Sequence, residues 1–166
     1  MKTNVKHTEE YYMKAALQEA LKAFAEDEVP VGAVIVKDDK IIARAHNARE
    51  KKQQSYAHAE MLAIQKASKK LGTWCLNDCD LYVTLEPCMM CMGALNLARI
   101  HTVYYGAKEE KFGAAESMIS YRTLKGMNRH PQIQSGILQK DCSEILSKFF
   151  QMKREEKKKQ KKPHNL

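Results

Sequence analysis

Residues 84–94 read TLEPCMMCMGA and place two cysteines, Cys88 and Cys91, three positions apart directly after Pro87. The run before them, DLYVTL (80–85), predicts a buried strand, and the run CMMCMGALNLARI (88–100) predicts a helix. Side chains at i and i+3 share one face of a helix. The unpaired N–H groups and the dipole of a helix N-terminus favour the thiolate form of cysteine. This stretch therefore predicts a strand, a turn and a helix that begins with a candidate metal-binding pair.

Strand and helix patterns alternate along the rest of the chain. Thr8 is placed to cap a first helix that starts with Glu9 and Glu10. A final helix is predicted from residue 142, with Asp141 as its cap. Between them the patterns predict a hairpin over 31–47 around Asp38-Asp39, a helix over 57–72, strands over 101–107 and 133–138, and a short helix near 117–124. This interleaving predicts one α/β domain whose sheet is covered on both faces.

Composition narrows the class of protein. A chain of 166 residues is long enough for one well-packed domain, assigned here to residues 1–152. The sequence contains no run of 18 apolar residues, so it predicts no membrane span. The N-terminal residues lack the apolar core of a signal peptide. We therefore expect a cytoplasmic protein. Cysteines in that reducing compartment are ligands or buried thiols more often than disulfides. The five are Cys75, Cys79, Cys88, Cys91 and Cys142.

The positive charge is concentrated at the C-terminus. The formal net charge is +8, and residues 153–166 hold seven basic and two acidic side chains. This segment forms a basic tail. A polyanionic partner is one interpretation of such a tail, and the solvated end of a helix is the other.

A third metal ligand is available upstream in AHAE (57–60), which opens a predicted helix with His58 and Glu60. One histidine and two cysteines leave a tetrahedral position open for water, which is typical of a catalytic zinc site. In an ideal helix Glu60 would point away from His58, so the two meet only if His58 lies at an irregular helix entry. A thioredoxin-like redox site is less consistent, since such motifs lack the upstream ligand. A four-thiolate site with Cys75 and Cys79 is disfavoured, because that pair lies at the other end of the predicted strand.

The combination of HAE (58–60) with TLEPCMMCMGA resembles the cytidine deaminase-like zinc deaminases, whose signature is H-x-E followed by P-C-x-x-C. The whole chain resembles the branch of tRNA-specific adenosine deaminases. Further matching segments are VPVGAV (29–34), HN (46–47), ARI (98–100), YGAK (105–108), FGAAES (112–117), GMN (126–128) and FFQMKR (149–154). The chain departs from the pattern of the branch at Phe112, at Glu116 and in the loop after residue 120, positions interpreted as lining the approach of the substrate.

The resemblance implies a three-layer α/β/α fold with a mixed five-stranded sheet and hydrolysis of adenosine to inosine at the wobble position of a tRNA anticodon. It implies one Zn²⁺ per subunit held by His58, Cys88 and Cys91, with Glu60 as proton shuttle. It also implies a homodimer and no organic cofactor. Substrate contacts are expected from Asn47, Ala57 and Pro87. RNA contacts are expected from the tail lysines Lys157, Lys158, Lys159, Lys161 and Lys162.

Two other functions remain open at the level of the sequence. A guanine or other free nucleobase deaminase would share the fold and the zinc motif. A zinc-containing RNA-binding module with a decayed active site is the non-enzymatic alternative, which the presence of Glu60 beside three ligands disfavours. The basic tail favours RNA over a free base, since a free base needs no such charge.

Overall fold

The computed structural model describes residues 7–127 and 129–161, and within them the strands form one sheet. The strands are β1 (Gly32–Lys37), β2 (Lys40–His46), β3 (Cys79–Leu85), β4 (Thr102–Ala107) and β5 (Gln132–Ser135). Their order is β2-β1-β3-β4-β5. β1 runs antiparallel to both β2 and β3, whereas β3, β4 and β5 are parallel. The predicted mixed five-stranded sheet is confirmed.

The helices cover both faces of this sheet. They are α1 (Glu9–Ala25), α2 (Arg49–Lys52), α3 (Ala59–Leu71), α4 (Met89–Leu97) and α5 (Gln139–Gln160), with a 3₁₀ turn over Tyr121–Thr123. α1 and α5 pack on one face, and α3 and α4 pack on the other. The predicted three-layer α/β/α architecture is therefore confirmed.

The strands face two hydrophobic layers because successive side chains point to opposite sides of a sheet. Ile35 and Leu81 lie in the layer under α3 and α4, while Val34 and Tyr82 lie in the layer under α1. The contact between α1 and β1 is close: a Cβ at Gly32 would fall 2.5 Å from the backbone nitrogen of Ala20. Glycine at this position lets α1 rest directly on the sheet.

The start of α1, the turn between β1 and β2 and the end of α3 lie where the sequence predicts them. The Thr8 side chain accepts a hydrogen bond from the Tyr11 N–H at the start of α1. Asp38 and Asp39 both have positive φ, 48° and 58°, and form the two-residue turn between β1 and β2. Gly72 has φ 67° and ends α3 in the left-handed conformation.

Other boundaries differ from the sequence prediction. The prediction of Asp141 as a helix cap is wrong: α5 begins at Gln139 after Leu138, whose φ is 50°, and Asp141 lies inside the first turn, where a carboxylate still suits the helix dipole. β5 ends at Ser135 because Gly136, with φ 85°, turns the chain away. The helix expected near 117–124 is only the 3₁₀ turn, and the short α2 was not predicted.

The C-terminal helix passes through residue 153 without interruption and continues to Gln160. The division into a domain over 1–152 and a tail over 153–166 stays a prediction. Lys162 and residues 163–166 lie outside the described residues. Among the helices described, none is long and apolar enough to cross a membrane.

Candidate active site

Two helix starts bring together three side chains that could bind a metal ion. His58 is the residue before α3 and Cys88 is the residue before α4, both with extended backbone, and Cys91 lies in the first turn of α4. His58 Nδ1 is 3.7 Å from Cys88 Sγ and 3.6 Å from Cys91 Sγ. Within residues 7–127 and 129–161, these three residues form the only group of three or more His, Cys, Asp or Glu residues whose ligand atoms all lie within 4.8 Å of one another.

The spacing of these atoms fits a tetrahedral zinc ion. With Zn–S at about 2.3 Å and Zn–N at about 2.0 Å, tetrahedral geometry separates sulfur from nitrogen by about 3.5 Å. The two observed S···N distances agree with this value. Two thiolates and an imidazole are also donors that zinc prefers. The residues present therefore fit a zinc site with three protein ligands and one open position.

Hydrogen bonds within the cluster prepare one thiol as a ligand. The hydrogen bond from Cys91, opposed by burial and assisted by His58, lowers the pKa of the Cys88 thiol to about 4. The lowered pKa favours the thiolate of Cys88, which is the form of cysteine that binds a metal. The same hydrogen bond, together with burial, raises the pKa of Cys91.

Glu60 lies beside the cluster in the first turn of α3, and its side chain is buried. Burial raises the pKa of its carboxyl to about 7, although hydrogen bonding to its own backbone and the charge of His58 act in the opposite direction. Glu60 reaches the cluster because His58 precedes the helix with φ −79° and ψ 152° instead of forming part of a regular turn. The irregular entry expected from the sequence is observed.

Asn47 lies at the end of β2, where it is nearly buried and lines the pocket in front of the cluster. Its Oδ1 accepts a hydrogen bond of 2.9 Å from the Ala59 N–H. This bond ties the end of β2 to the start of α3. Within the described part of the chain the Asn47 Nδ2 group has no hydrogen-bond partner, so its donors are available to a ligand.

The other two residues expected near the substrate, Ala57 and Pro87, are buried. The N–H and C=O of Ala57 both bond to backbone groups, at 3.1 Å to Gln54 and 3.0 Å to Ala48. The Pro87 carbonyl accepts from Ala114 N–H at 2.8 Å. Their backbone groups hold the walls of the site together, and direct contact with a base stays a prediction.

The cluster opens into a pocket of about 680 Å³, within the range of about 300–1,000 Å³ typical of ligand sites. His58, Glu60 and Cys88 form its floor, and α5 contributes Phe149 and Lys153 to its wall. Further lining residues come from four other segments: Asp27, Glu28, Val29, Val31, Asn47, Arg49, Glu50, Leu85, Glu86, Glu109 and Phe112. Half of the lining residues carry charge and others are apolar, so the pocket suits a ligand that has both polar and apolar surface.

Glu86 fixes the loop over residues 109–117 to the metal-ligand segment. Its buried carboxylate accepts hydrogen bonds from three backbone N–H groups and from one hydroxyl. The donors are Glu109 N (3.1 Å), Glu116 N (2.7 Å), Ser117 N (2.9 Å) and Ser117 Oγ. Burial by itself would raise the pKa of the Glu86 carboxyl. The four hydrogen bonds favour the carboxylate more strongly, so the pKa is lowered. The TLEPC stretch contains Glu86, yet only the folded chain reveals the loop that it binds.

The remaining residues that the sequence analysis named lie in different parts of the molecule. Phe112 lines the pocket, whereas Glu116 lies outside the lining and accepts a 2.6 Å hydrogen bond from the Tyr105 hydroxyl. Cys79 and Cys142 are buried and Cys75 is half-buried, and none of them belongs to the metal-ligand cluster. Among the tail residues described, Lys157, Lys158, Lys159 and Lys161 are exposed at the end of α5.

Comparison with known proteins agrees with this geometry. A family model described as MafB19-like deaminase matches residues 7–154. The tRNA-specific adenosine deaminase of Streptococcus pyogenes serotype M18 is 49% identical over 148 residues, which are 89% of this chain and 93% of that protein.

Two solved structures share the fold. One, from work on A-to-I editing by tRNA:A34 deaminases at the wobble position of transfer RNA, has a TM-score of 0.80 and 43% identity, covering 82% of this chain and 99% of that one. The other is guanine deaminase from Bacillus subtilis, with a TM-score of 0.61 and 33% identity, covering 75% of this chain and 99% of that one. The fold is therefore shared by enzymes that act on nucleobases in different contexts.

Proposed function

The chain belongs to the family of tRNA-specific adenosine deaminases, and we therefore propose that it is a zinc hydrolase that converts adenosine to inosine at the wobble position of a tRNA anticodon. The observation that carries the chemistry is the convergence of His58, Cys88 and Cys91, of which His58 and Cys88 line one pocket together with buried Glu60. Three ligands with an adjacent free carboxylate are the composition of a hydrolytic zinc site.

The reaction adds water to adenosine and releases ammonia, leaving inosine. His58, Cys88 and Cys91 would hold a zinc ion, which when bound would activate a water for attack on the carbon that bears the amine. Glu60 would accept one proton of this water and transfer it to the ring nitrogen next to that carbon, and would then carry the remaining hydroxyl proton to the amine, which leaves as ammonia. The carboxylate is suited to this role because it lies beside the cluster without belonging to the three ligands.

Binding of the base is assigned to the pocket walls. The free Nδ2 donors of Asn47 are available to an acceptor on the purine, while its Oδ1 stays engaged with the N-terminus of α3. Ala57 and Pro87 adjoin His58 and Cys88 in the chain, and their backbone groups are the other proposed contacts with the base.

A tRNA substrate is favoured over free guanine by the sequence comparisons. Identity to the Streptococcus pyogenes tRNA-specific adenosine deaminase is 49%, against 33% to the Bacillus subtilis guanine deaminase. The lysines at the end of α5 add a cationic surface for phosphates, namely Lys157, Lys158, Lys159 and Lys161, with Lys162 following. A tRNA substrate also implies a cytoplasmic location.

A homodimer is the proposed assembly. α4 buries Met92 and Leu95 but exposes Met89, Met90 and Leu97 to solvent. Large apolar side chains grouped on one helix are typical of a protein–protein interface. Pairing of two chains through α4 would cover this surface.

The experiment that tests the function uses purified protein and an unmodified tRNA with adenosine at the wobble position. Inosine pairs with cytidine during reverse transcription, so we expect guanosine at that position in the sequenced product and no change at other adenosines. Free guanine is offered in parallel as the competing substrate. Consumption of guanine together with an unchanged tRNA would transfer the assignment to a guanine deaminase.

A further inference from the structure

Phe112 is an exposed aromatic side chain at the rim of the catalytic pocket. Its relative solvent exposure is 66%, although it lines the same pocket as His58 and Glu60. Solvent-exposed aromatic rings beside a functional pocket are typical of binding surfaces, because the ring gains by being covered. The catalytic reaction proposed above gives Phe112 no role.

The backbone at Phe112 is held in a fixed position relative to the metal ligands. The next residue, Gly113, pairs with Cys88 in an isolated antiparallel bridge. Gly113 also packs against the Glu86 carboxylate, so that a Cβ there would fall 2.5 Å from Glu86 Cδ. The four hydrogen bonds to Glu86 close the loop on both sides of Phe112. A ring on such a rigid loop loses little conformational entropy when a ligand covers it.

The proposed substrate supplies a partner for this ring. When the target nucleotide enters the pocket, the nucleotides on either side of it must pass over the rim. Nucleobases stack on exposed aromatic side chains with a gain that corresponds to about 5- to 150-fold in affinity per base. Phe112 has no hydrogen-bonding group, so it would accept any base.

We infer that Phe112 forms a stacking site for the nucleobase adjacent to the target adenosine. This inference rests on the proposed function, since it requires a substrate that continues beyond the reacting nucleotide. The consequence is that the enzyme recognises the anticodon loop as a stretch of at least two unstacked nucleotides. A free nucleoside cannot use the Phe112 site.

The test is a double-mutant cycle between the protein and the RNA. The protein variants are Phe112→Ala and Phe112→Trp, and the matched control is Trp74→Ala. Trp74 is likewise exposed (63%), but it follows the C-terminal end of α3, away from the pocket. The RNA substrates are an anticodon stem–loop and two derivatives that lack the base on the 5′ or the 3′ side of the target.

With the intact loop, Phe112→Ala should raise KM about 5- to 150-fold, with a smaller change in kcat, whereas Phe112→Trp and Trp74→Ala should stay within about twofold of the parent. With one of the two abasic loops, the parent and Phe112→Ala should have the same KM. At saturating protein, 2-aminopurine at that position should fluoresce less in complex with the parent, where the ring stacks on it, than in complex with Phe112→Ala.

Three results would overturn the inference. The first is an unchanged KM for Phe112→Ala, and the second is an equal penalty on intact and abasic loops. The third is a change in the mass of the assembly on Phe112→Ala, which would make Phe112 part of a protein interface. Failure of the proposed function looks different: the parent itself would form no inosine from the intact loop, and the flanking-base site would fail with it.

Discussion

His58 and Cys88 each precede the first residue of a helix, and this position determines the chemistry of the site. Both residues have extended backbone, so the side chain of each can point toward the neighbouring helix start. The N-termini of α3 and α4 then present their ligands to one point. Cys91, one turn into α4, completes the set.

At this scale we predict that zinc content depends on three side chains and not on the other cysteines. The purified parent should contain about one zinc per chain, because the cluster offers three ligands at tetrahedral spacing. His58→Ala, Cys88→Ala and Cys91→Ala should each lose most of it. Metal analysis of the purified proteins measures this directly.

Cys75→Ala and Cys79→Ala are the matched controls, and both should retain the metal of the parent. They test the four-thiolate alternative, since Cys79 begins β3 while Cys88 follows the far end of that strand. Loss of zinc in both controls, with retention in the three ligand variants, would show that the metal site is elsewhere.

The carboxyl group of Glu60 is predicted to carry the proton in the reaction. Glu60→Gln preserves the size of the side chain but cannot carry a proton, so it should lower kcat by about 100- to 10,000-fold. Zinc content should remain that of the parent, because Glu60 is not among the three ligands. Single-turnover kinetics on a tRNA substrate, with metal analysis of the same sample, separates the two effects. A rate within tenfold of the parent would mean that another group moves the proton.

A buried carboxylate joins helix α1 to strand β2. Glu19, buried on α1, bonds to His46 Nδ1 of β2 at 3.0 Å and to Lys22 at 2.7 Å. Burial alone would raise the pKa of this carboxyl, but the hydrogen bonds from Lys22 and His46 outweigh burial and lower it below 4.5. His46 precedes Asn47, so this contact also supports a wall of the pocket.

The lowered pKa of Glu19 predicts a pH-dependent stability. A carboxyl whose pKa falls on folding stabilises the native state above its unfolded pKa, and this contribution is lost as pH drops through the folded value. Glu19→Gln should therefore lower the free energy of unfolding by about 2 kcal/mol near pH 7. The difference from the parent should shrink below pH 4.5. Urea unfolding of both proteins across this range measures it, and a difference independent of pH would contradict the role of the charge.

The end of α5 is the second element with a testable role. Its exposed lysines project beyond the Phe149 anchor, which packs edge-on against Phe24 of α1 with ring centres 5.6 Å apart. Replacing Lys157, Lys158, Lys159, Lys161 and Lys162 by glutamine should weaken tRNA binding at moderate salt. The slope of log K against log salt should flatten by about 0.7 to 0.9 for each phosphate that the tail no longer neutralises.

The matched control for the tail removes the same charge from other exposed lysines: Lys14, Lys40, Lys69, Lys70 and Lys140. This control should leave the salt slope near that of the parent, because these lysines are spread over other surfaces. Equal slopes for the tail variant and the parent would identify the tail as a solvated helix end. Binding titrations at several salt concentrations distinguish the two cases.

Over the whole molecule, the parts that were predictable from sequence are those encoded by local spacing. The i, i+3 cysteines after a strand predict a strand–turn–helix unit, and the Asp38-Asp39 turn predicts the hairpin. The link from Glu86 to the loop at residues 109–117 spans 23 to 31 positions and carries no local pattern. The position of Asn47 Oδ1 against Ala59 likewise depends on how β2 meets α3.

The floor of the pocket is encoded by local spacing, whereas its walls depend on contacts between residues far apart in the chain. The floor comes from two short motifs, whereas Phe112 and Phe149 are brought to the walls by the packing of separate segments of the chain. Sequence therefore predicts the reaction more completely than the contacts that select the substrate. The proposed substrate class rests on the family comparisons, and the walls give the residues with which to test it.

The most direct test of hydrolytic deamination at the wobble adenosine is the mass of the product nucleoside. The zinc-loaded protein is incubated in ¹⁸O-labelled water with an anticodon stem–loop that carries adenosine at the wobble position, and the RNA is digested to nucleosides. We expect wobble adenosine to become inosine with one ¹⁸O in its base, and one ammonia to be released for each inosine. Wobble adenosine that remains unconverted by the zinc-loaded parent would contradict the proposed reaction.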